Sequence, residues 1–386
     1  MVFRGTNQEF GRPYNRRVLL EAVRLHGPIA RVELARHVGL TLQTVSNIVA
    51  ELEGQGFVVA EAGARAPRIS INPEGGFAIG IHVTPLGLEA ALVNLVGDIV
   101  ARETLAAVQI EPEIAFKRIG ELVRRLAALR PEGRILGVGM AMPGPFDVEA
   151  MSFVGPTTLE AWKGAAVEER LSQTVPYPLF IGGDTAAAAE AERLYGVGGA
   201  FRSFYYLYFG VGLGGRLVSD GGVVRGAWNN AGEIGHLPVV PDGDWCPCGN
   251  RGCLERHLSL DAFERRPPGQ SLAAWVTAVA PLLRSAVVIV ENLFDPEAIV
   301  IGGSASPELL AALVAAAGEL PNSVAARSNR TTPRLRLSEG RDVVLRGAAA
   351  SAISSVLSPR FGQMFSHDET RLERDPMMQQ PLSRVS

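Results

Sequence analysis

Gly232-Glu-Ile-Gly-His236 and, ten residues after its histidine, Cys246-Pro-Cys248-Gly-Asn-Arg-Gly-Cys253-Leu-Glu255 form the stretch on which the reading of the chain turns. The chain has three cysteines, and all of them fall in the eight residues from Cys246 to Cys253. Three thiolates and the His236 imidazole make a Cys3His set, sufficient for a closed tetrahedral Zn2+ site. Four protein ligands leave no position for water, so the site reads as structural. Gly249 and Gly252 permit the tight, partly left-handed backbone such a knuckle needs. Three buried thiols, or a disulfide with one spare, are the competing readings, although Cys-x-Cys is too cramped to close easily on itself. His257 is an alternative fourth ligand.

This stretch resembles the signature of the ROK family (repressors, open reading frames, kinases), and the likeness extends over nearly the whole chain. The resemblance implies a zinc-bearing core that binds sugars. It also implies that Glu233, His236 itself and Glu255 line the sugar pocket.

Outward from the knuckle, the 386 residues are 47% hydrophobic and 20% charged, ordinary globular material with room for two or three domains. The N-terminus has no apolar h-region, so no signal peptide is expected. No apolar run looks long enough to span a bilayer; 286–290 is brief and is flanked by Arg284 and Glu291. Reduced cysteines fit the cytoplasm. The net charge of −3 is unevenly spread: residues 1–68 hold nine arginines against six acids, the remainder 28 basic against 34 acidic residues. A basic front end on an acidic body suggests a nucleic-acid-binding module joined to something else.

In that front end, residues 15–27 place Val18, Ala22 and Leu25 on one helical face, and Gly27-Pro28 ends it. A short helix over 31–37 stops at Gly39. Thr41 is a good N-cap for a third helix to residue 53, whose inward stripe is Val45, Ile48, Val49 and Leu52. Gln43, Thr44 and Asn47 gather on the opposite face, as small polar side chains able to reach base edges. Residues 57–61 and 68–72 read as strands of a wing with Arg65 at its tip and Arg68 just beyond. The order predicts a winged helix-turn-helix over 1–75, with Arg31, Thr41, Gln43, Thr44, Asn47, Arg65 and Arg68 contacting DNA. Arg16, Arg17 and Arg36 are further phosphate candidates. The segment is similar to the module that precedes the core in ROK repressors, with Ala30 where that family often has a capping Ser. A small helical interaction module without a DNA role is the competing reading.

From residue 76 the sequence turns β-rich. Residues 77–83, 88–95 and 99–105 read as an antiparallel meander, 112–129 as a helix and 135–142 as a buried strand. A second set follows: strand 205–209, glycine turns, strands to about 224, helix 272–293 and strand 298–301. This predicts an α/β chain in which the winged helix-turn-helix precedes a two-lobed, actin-like (ribonuclease-H-type) core closing over a cleft. The first lobe is placed at 76–185 and completed by a last helix at about 345–358. The second lobe, with the zinc knuckle, is placed at 186–344, and the tail 359–386 is expected to be disordered.

Sugar kinases with this fold hold ATP phosphates on two glycine hairpins, since only glycine lets backbone N–H groups come close enough. The second hairpin is present as Phe209-Gly210-Val-Gly212-Leu-Gly214-Gly215, and Ile301-Gly302-Gly303-Ser304 stands where the family receives adenosine. At the first, ROK kinases carry Asp-x-Gly-Gly-Thr, and this chain reads Gly80-Ile-His82-Val-Thr84-Pro85-Leu86. His82 replaces the acid that helps hold Mg2+, and Pro85 has no N–H for a phosphate oxygen. Enzyme activity is therefore not expected. An ATP-dependent ROK sugar kinase with a fused DNA-binding domain is the main rival.

Asp184 follows a strand at 179–183 and matches the kinases' general base, while also suiting a helix N-cap. It is read as an acceptor for a sugar hydroxyl; Asp147, in Pro143-Gly144-Pro145-Phe-Asp147, is read as structural. Gly183 and Thr157 stand where the family has amides for sugar hydroxyls, so a plain glucose-type hexose is not the expected ligand, or binding is weak. The sequence thus describes a sugar-responsive regulator, a repressor of carbohydrate uptake or catabolism genes. It would bind two-fold operator DNA as a homodimer or homotetramer, hold one structural zinc, and take a carbohydrate effector at Asp184, Glu233, His236 and Glu255, with no membrane partner.

Overall fold

Burial of one apolar stripe organises the N-terminal module. The computed structural model describes residues 11–63, 66–84, 87–106, 111–144, 146–147, 152–153, 159–162, 165–327 and 329–358. Its first elements are α1 (Gly11–His26), β1 (Ile29–Ala30), α2 (Arg31–Val38), α3 (Leu42–Gly54), β2 (Val58–Ala60) and β3 (Arg68–Ile71). Val45, Ile48, Val49 and Leu52 of α3 are all buried, and Thr41 Oγ1 accepts the Thr44 N–H at 3.1 Å as the cap. Ala30 has no oxygen to cap α2; the Glu33 carboxylate reaches back to its N–H at 3.2 Å instead.

Two expectations about α1 need correction. Leu25 is 40% exposed, because the buried face centres on Leu19, Ala22 and Val23, about a third of a turn away at 100° per residue. Arg17 is buried and so is not a surface phosphate contact. The two-residue β1 pairs Ile29 with Ile69 and Ala30 with Arg68, giving a three-stranded sheet of order β1-β3-β2. A strand of two residues has no periodicity to read. The wing tip around Arg65 lies outside the described residues, as do Pro85, Thr157 and the tail from 359.

The remaining chain supplies β4 (Phe77–Thr84), β5 (Gly87–Asn94), β6 (Ile99–Ala106), α4 (Pro112–Ala128), β7 (Ile135–Met142), β8 (Phe146–Asp147), β9 (Ser152–Phe153), α5 (Val167–Ser172), β10 (Leu179–Gly183) and α6 (Asp184–Tyr195). Then follow β11 (Ser203–Phe209), β12 (Leu213–Ser219), β13 (Gly222–Val223), α7 (Leu260–Glu264), α8 (Leu272–Phe294), β14 (Ala298–Gly303), α9 (Pro307–Ala317), β15 (Leu335–Leu337) and α10 (Val343–Leu357). Two five-stranded sheets result, of order β10-β7-β4-β5-β6 and β13-β12-β11-β14-β15. Asp147 lies on β8, opposite Ser152.

The chain divides into two compact units. The first combines everything up to Met140 with Glu168–Ile181 and the chain from Ala348; the second comprises Ala141–Val167 and Gly182–Gly347. In the first unit the winged module and the β4–β6 meander share a packed junction. The Arg134 guanidinium lies over the Phe57 ring at 4.6 Å and donates to Gln55 O at 3.4 Å, while Phe77 N donates to Arg134 O at 2.8 Å. In the second unit, alternate residues of β11 (Tyr205, Leu207 and Phe209) join Leu283, Val287 and Val290 of α8 and Leu313 of α9 in one core.

At 23 residues and with mean hydropathy 1.9 over its most apolar window, α8 is long and apolar enough to cross a membrane, contrary to the sequence reading. The sequence reading places the helix at 272–293 but weighs its apolar content only over the short run 286–290, between Arg284 and Glu291. Its charges are spent inside the unit. Arg284 Nε donates to Ala317 O at 2.7 Å, and Glu291, 1% exposed, pairs with Arg334 and, at 3.4 Å, with Arg330. Burial alone would raise the Glu291 pKa, but the hydrogen bond and charge of Arg334, with Ser323 and Arg330, bring it below the usual carboxylate value.

A depressed folded-state pKa contributes stability above the unfolded value near ~4.3 that is lost as pH falls through the folded one. Glu291→Ala, which strands two arginines, is expected to cost about 3 kcal/mol at pH 7 and less in acid. Urea unfolding at pH 7 and pH 3 checks it; an equal loss at both pH values would contradict the pairing.

Candidate metal centre and ligand site

The knuckle is closed by backbone bonds before any ligand is considered. Cys246 N donates to Asn250 O at 2.8 Å and Gly249 N to Cys246 O at 3.0 Å, with Pro238 bridged to Cys253 and Trp245 to Arg251. Gly249 (φ 94°) and Gly252 (φ 66°) hold left-handed conformations, and a Cβ on Gly252 would meet Val240 O at 1.7 Å.

The folded knuckle brings one ligand atom each of His236, Cys246, Cys248 and Cys253 within 4.8 Å of one another. Cys246 Sγ is 3.6 Å from His236 Nδ1, and Cys248 Sγ is 3.6 Å from Cys253 Sγ, too far for a disulfide. Two thiolates each ~2.3 Å from one tetrahedral zinc would stand about 3.8 Å apart, so the spacing fits the ion. The electrostatics agree. Burial pushes the Cys253 thiol up to about 12. Burial also works against Cys248, but the Asn250 N–H, both neighbouring thiols and His236 outweigh it and hold that thiol at about 7. Three crowded sulfurs do not all ionise without a cation between them. Cys253 Sγ further contacts His236 O at 3.5 Å, and Asn250 Nδ2 contacts Cys248 Sγ at 3.6 Å, orienting the set from outside. It is His236, rather than His257, that the fold brings to the sulfurs.

The three carboxylates of the expected ligand site are arranged along β12. Leu213 N donates to Glu255 Oε2 at 2.9 Å. A Cβ on Gly214 would lie 2.9 Å from Thr185 Oγ1, which places the start of α6 against the strand. Arg216, 5% exposed, directs Nη1 to Gly215 O at 3.1 Å, to Ala231 O, and to Glu233 Oε1 at 3.5 Å. A lone arginine on a strand has no sequence signature, so this residue went unread; its buried guanidinium lies 3.5 Å from Glu233 Oε1.

Asp184 is not the N-cap of α6. Gly183 occupies that position without a side-chain bond, and Asp184 begins the helix, its Oδ1 accepting from Thr185 N at 2.6 Å and Thr185 Oγ1 at 3.1 Å. The physical reason is geometry: Gly183 has the extended dihedrals (φ −77°, ψ 150°) of a cap, so the first helical turn starts one residue later. Burial pushes the Tyr208 phenol well up from its ordinary value, and the charge of nearby Asp184 adds to it.

At the glycine hairpins, Gly210 N donates to Gly212 O at 2.9 Å, so that N–H and the Leu213 N–H are both used internally. On β4, His82 stands opposite Glu89 of β5, and Thr84 Oγ1 donates to Gly87 O at 3.3 Å.

In the N-terminal module, Thr41, Gln43 and Asn47 are exposed and Thr44 half-buried on α3. Gln43 Nε2 donates to Asn47 Oδ1 at 3.0 Å, and the Thr41 and Thr44 hydroxyls are 2.8 Å apart, so the face is held by its own side chains. Arg31 faces Glu53 at 3.5 Å; Arg68 donates to Pro28 O at 2.9 Å and faces Glu33 at 3.8 Å. Arg16 pairs with Glu51, and Arg36 is exposed.

A winged helix-turn-helix followed by a two-sheet α/β core with a Cys3His knuckle defines a class: DNA-reading modules joined to sugar-kinase-like bodies. Residues 12–59 match the winged helix-turn-helix DNA-binding model, and residues 78–354 match the ROK family model. The chain belongs to the ROK family. It is 27% identical over 336 residues to the xylose repressor of Caldicellulosiruptor bescii, covering 76% of this chain and 83% of that one. It is 25% identical to the DNA-binding transcriptional dual regulator NagC of Escherichia coli K12, covering 77% and 82%. Among solved structures, a ROK transcriptional regulator described as a homologue of E. coli Mlc matches with TM-score 0.73 and 22% identity over 92% of this chain and 98% of that one. A ROK glucokinase from Streptomyces griseus, solved with glucose and AMPPNP, matches with TM-score 0.58 and 22% identity over 71% and 98%. These structures share the fold.

Proposed function

We propose that this chain is a sugar-responsive DNA-binding transcriptional regulator, acting in the cytoplasm as a repressor of carbohydrate uptake or catabolism genes. The observation that carries the reading is the union, in one chain, of a winged helix-turn-helix with a ROK core whose relatives include a xylose repressor and a DNA-binding transcriptional dual regulator. The exposed Gln43 and Asn47, with the half-buried Thr44, read base edges, and Thr41 and arginines including Arg31, Arg36, Arg65 and Arg68 meet the backbone. A two-fold operator is bound by a homodimer or homotetramer. We assign the winged module to residues 1–75 and the two lobes to 76–185 and 186–344.

His236, Cys246, Cys248 and Cys253 hold zinc, which supplies rigidity and no chemistry. Asp184, Glu233, His236 and Glu255 take carbohydrate hydroxyls. A sugar that binds one conformational state better shifts the population away from the DNA-competent one. Kinase activity is absent on this reading: His82 brings no carboxylate to Mg2+, Pro85 brings no N–H, and the Leu213 N–H is engaged by Glu255.

A thermal-shift screen against monosaccharides and their phosphates tests it, since a ligand at a hundred times its Kd adds about 2.7 kcal/mol. The same ligand is expected to release DNA selected from a random pool. Sugar-dependent ADP production from Mg2+-ATP would instead establish the kinase.

A further inference from the structure

Arg134 stands at the foot of β7, where the first unit's core meets the C-terminal end of the DNA-reading helix. Gln55 is the C-cap of α3, and its carbonyl is among the acceptors that a helix leaves unused at that end. Arg134 Nη2 donates to it at a long 3.4 Å. The guanidinium also lies over the buried Phe57, so the cation serves both a helix terminus and an aromatic face. The segment between β3 and β4 holds the same turn. Asn72 Nδ2 donates to Gly56 O at 2.8 Å, Asn72 N donates to Phe57 O at 2.9 Å, and a Cβ on Gly75 would meet Gly56 O at 2.3 Å. Seating this close permits the module small displacements and no free swing.

Two polar atoms of the junction are left over. Arg134 Nη1 and Gln55 Oε1 are both buried, and neither has a partner among the described residues. One is a donor and the other an acceptor. The Gln55 amide is oriented by its Nε2, which reaches Glu51 Oε1 at 3.5 Å, and Glu51 is itself paired with Arg12 and Arg16. Buried polar groups are nearly always paired. Complementary orphans on two residues already joined by a neighbouring bond mark a pairing that this docking leaves unmade. A small turn of α3 against the foot of β7 exchanges the long Nη2 bond for one from Nη1 to Gln55 Oε1. The far end of the same strand leads to the unit of the candidate ligand site. Arg134 directly precedes Ile135–Met142, and at Ala141 the chain enters the second unit, which carries Asp184, Glu233 and Glu255.

We propose that the Arg134–Gln55 junction is the two-state contact through which a carbohydrate bound in the core changes how α3 meets DNA, with Arg134 as its positioning residue. In one docking Nη2 holds the Gln55 carbonyl. In the other Nη1 holds the Gln55 amide oxygen, and α3 presents Gln43 and Asn47 at a different angle. Each docking keeps one hydrogen bond and the cation over Phe57, so the two lie close enough in energy for a ligand to move the population between them. This rests on the reading of the chain as a sugar-responsive DNA-binding regulator.

Fluorescence anisotropy of the full zinc-loaded chain on DNA selected from a random pool tests it, with and without xylose, glucose, N-acetylglucosamine or glucose 6-phosphate. Isothermal titration measures the binding of each sugar alone. Arg134→Met keeps an apolar stem over Phe57 and removes the donors; Gln55→Ala keeps the backbone carbonyl and removes only the amide. Wild type is expected to change its DNA affinity by about five- to 150-fold with the sugar it binds. Both variants are expected to bind that sugar, and DNA in its absence, within about threefold of wild type. Their change in DNA affinity on adding the sugar is expected to fall below about twofold. A junction that only supports the fold would lower the melting temperature and leave that ratio intact. Gln55→Ala serves alone should Arg134→Met fail to fold. A response of wild-type size in either variant overturns the switch and leaves the regulator standing. A wild type whose DNA affinity none of the four sugars changes removes the sugar-responsive reading and the switch together.

Discussion

Cys248→Ser or Cys253→Ser is expected to abolish zinc retention and to destabilise the second unit strongly. Structural zinc in small knuckles binds with roughly 10–16 kcal/mol at pH 7, as much as the whole net stability of a typical domain, about 5–15 kcal/mol. The second unit has a core of its own, built on β11, α8 and α9, so part of the loss is absorbed there. The knuckle is nevertheless continuous with it. Leu254 is fully buried in that core, Leu254 N donates to Leu237 O at 2.9 Å, and Glu255 holds the β11–β12 hairpin through Leu213. Loss of a bound zinc is therefore expected to loosen the candidate ligand site before the core itself melts. Metal analysis of the purified chain should give one zinc, and the serine variants none, with melting lowered by well over ten degrees. A zinc-free wild type with the same melting temperature as the variants would remove the metal from the account.

The second large effect is expected at α3. Asn47→Ala should reduce affinity for selected operator DNA by about 1–3 kcal/mol, roughly five- to 150-fold, while leaving non-specific binding and its salt dependence nearly unchanged. Gln43→Ala should act similarly, and the double variant should lose less than the sum, because Gln43 and Asn47 hydrogen-bond to each other at 3.0 Å. Arg36→Ala should behave differently, weakening all sequences alike and lowering the salt slope by about one. Fluorescence anisotropy on selected and scrambled duplexes at several salt concentrations separates the two patterns. Uniform loss from Asn47→Ala would place that face on the phosphates instead of the bases.

Much of this was legible in the residues because the signals were local. Three cysteines in eight positions, a capping Thr41 before a 3.6-residue stripe, and apolar runs between glycine turns each depend on near neighbours in the chain. The meander, α4, β7 and α8 accordingly appear within a residue or two of their expected ends. The signals that failed were those with no local period: β1 with two residues, the outward turn of Leu25, and Asp184 displaced from the cap by one residue.

By itself the sequence determined the winged module, the α/β core and the three cysteines of the candidate metal centre, because short-range periodicity and residue chemistry suffice for those; the choice of His236 over His257 came from the fold. Only the tertiary structure decided how the carboxylates of the candidate ligand site are held. Arg216 meets Ala231 and Glu233 from 15 and 17 positions away, and Leu213 meets Glu255 from 42. It also decided that the winged module packs within the first unit through Arg134, some 80 residues from Gln55. Such contacts follow from chain closure over long separations, which leaves no imprint on the order of neighbouring residues.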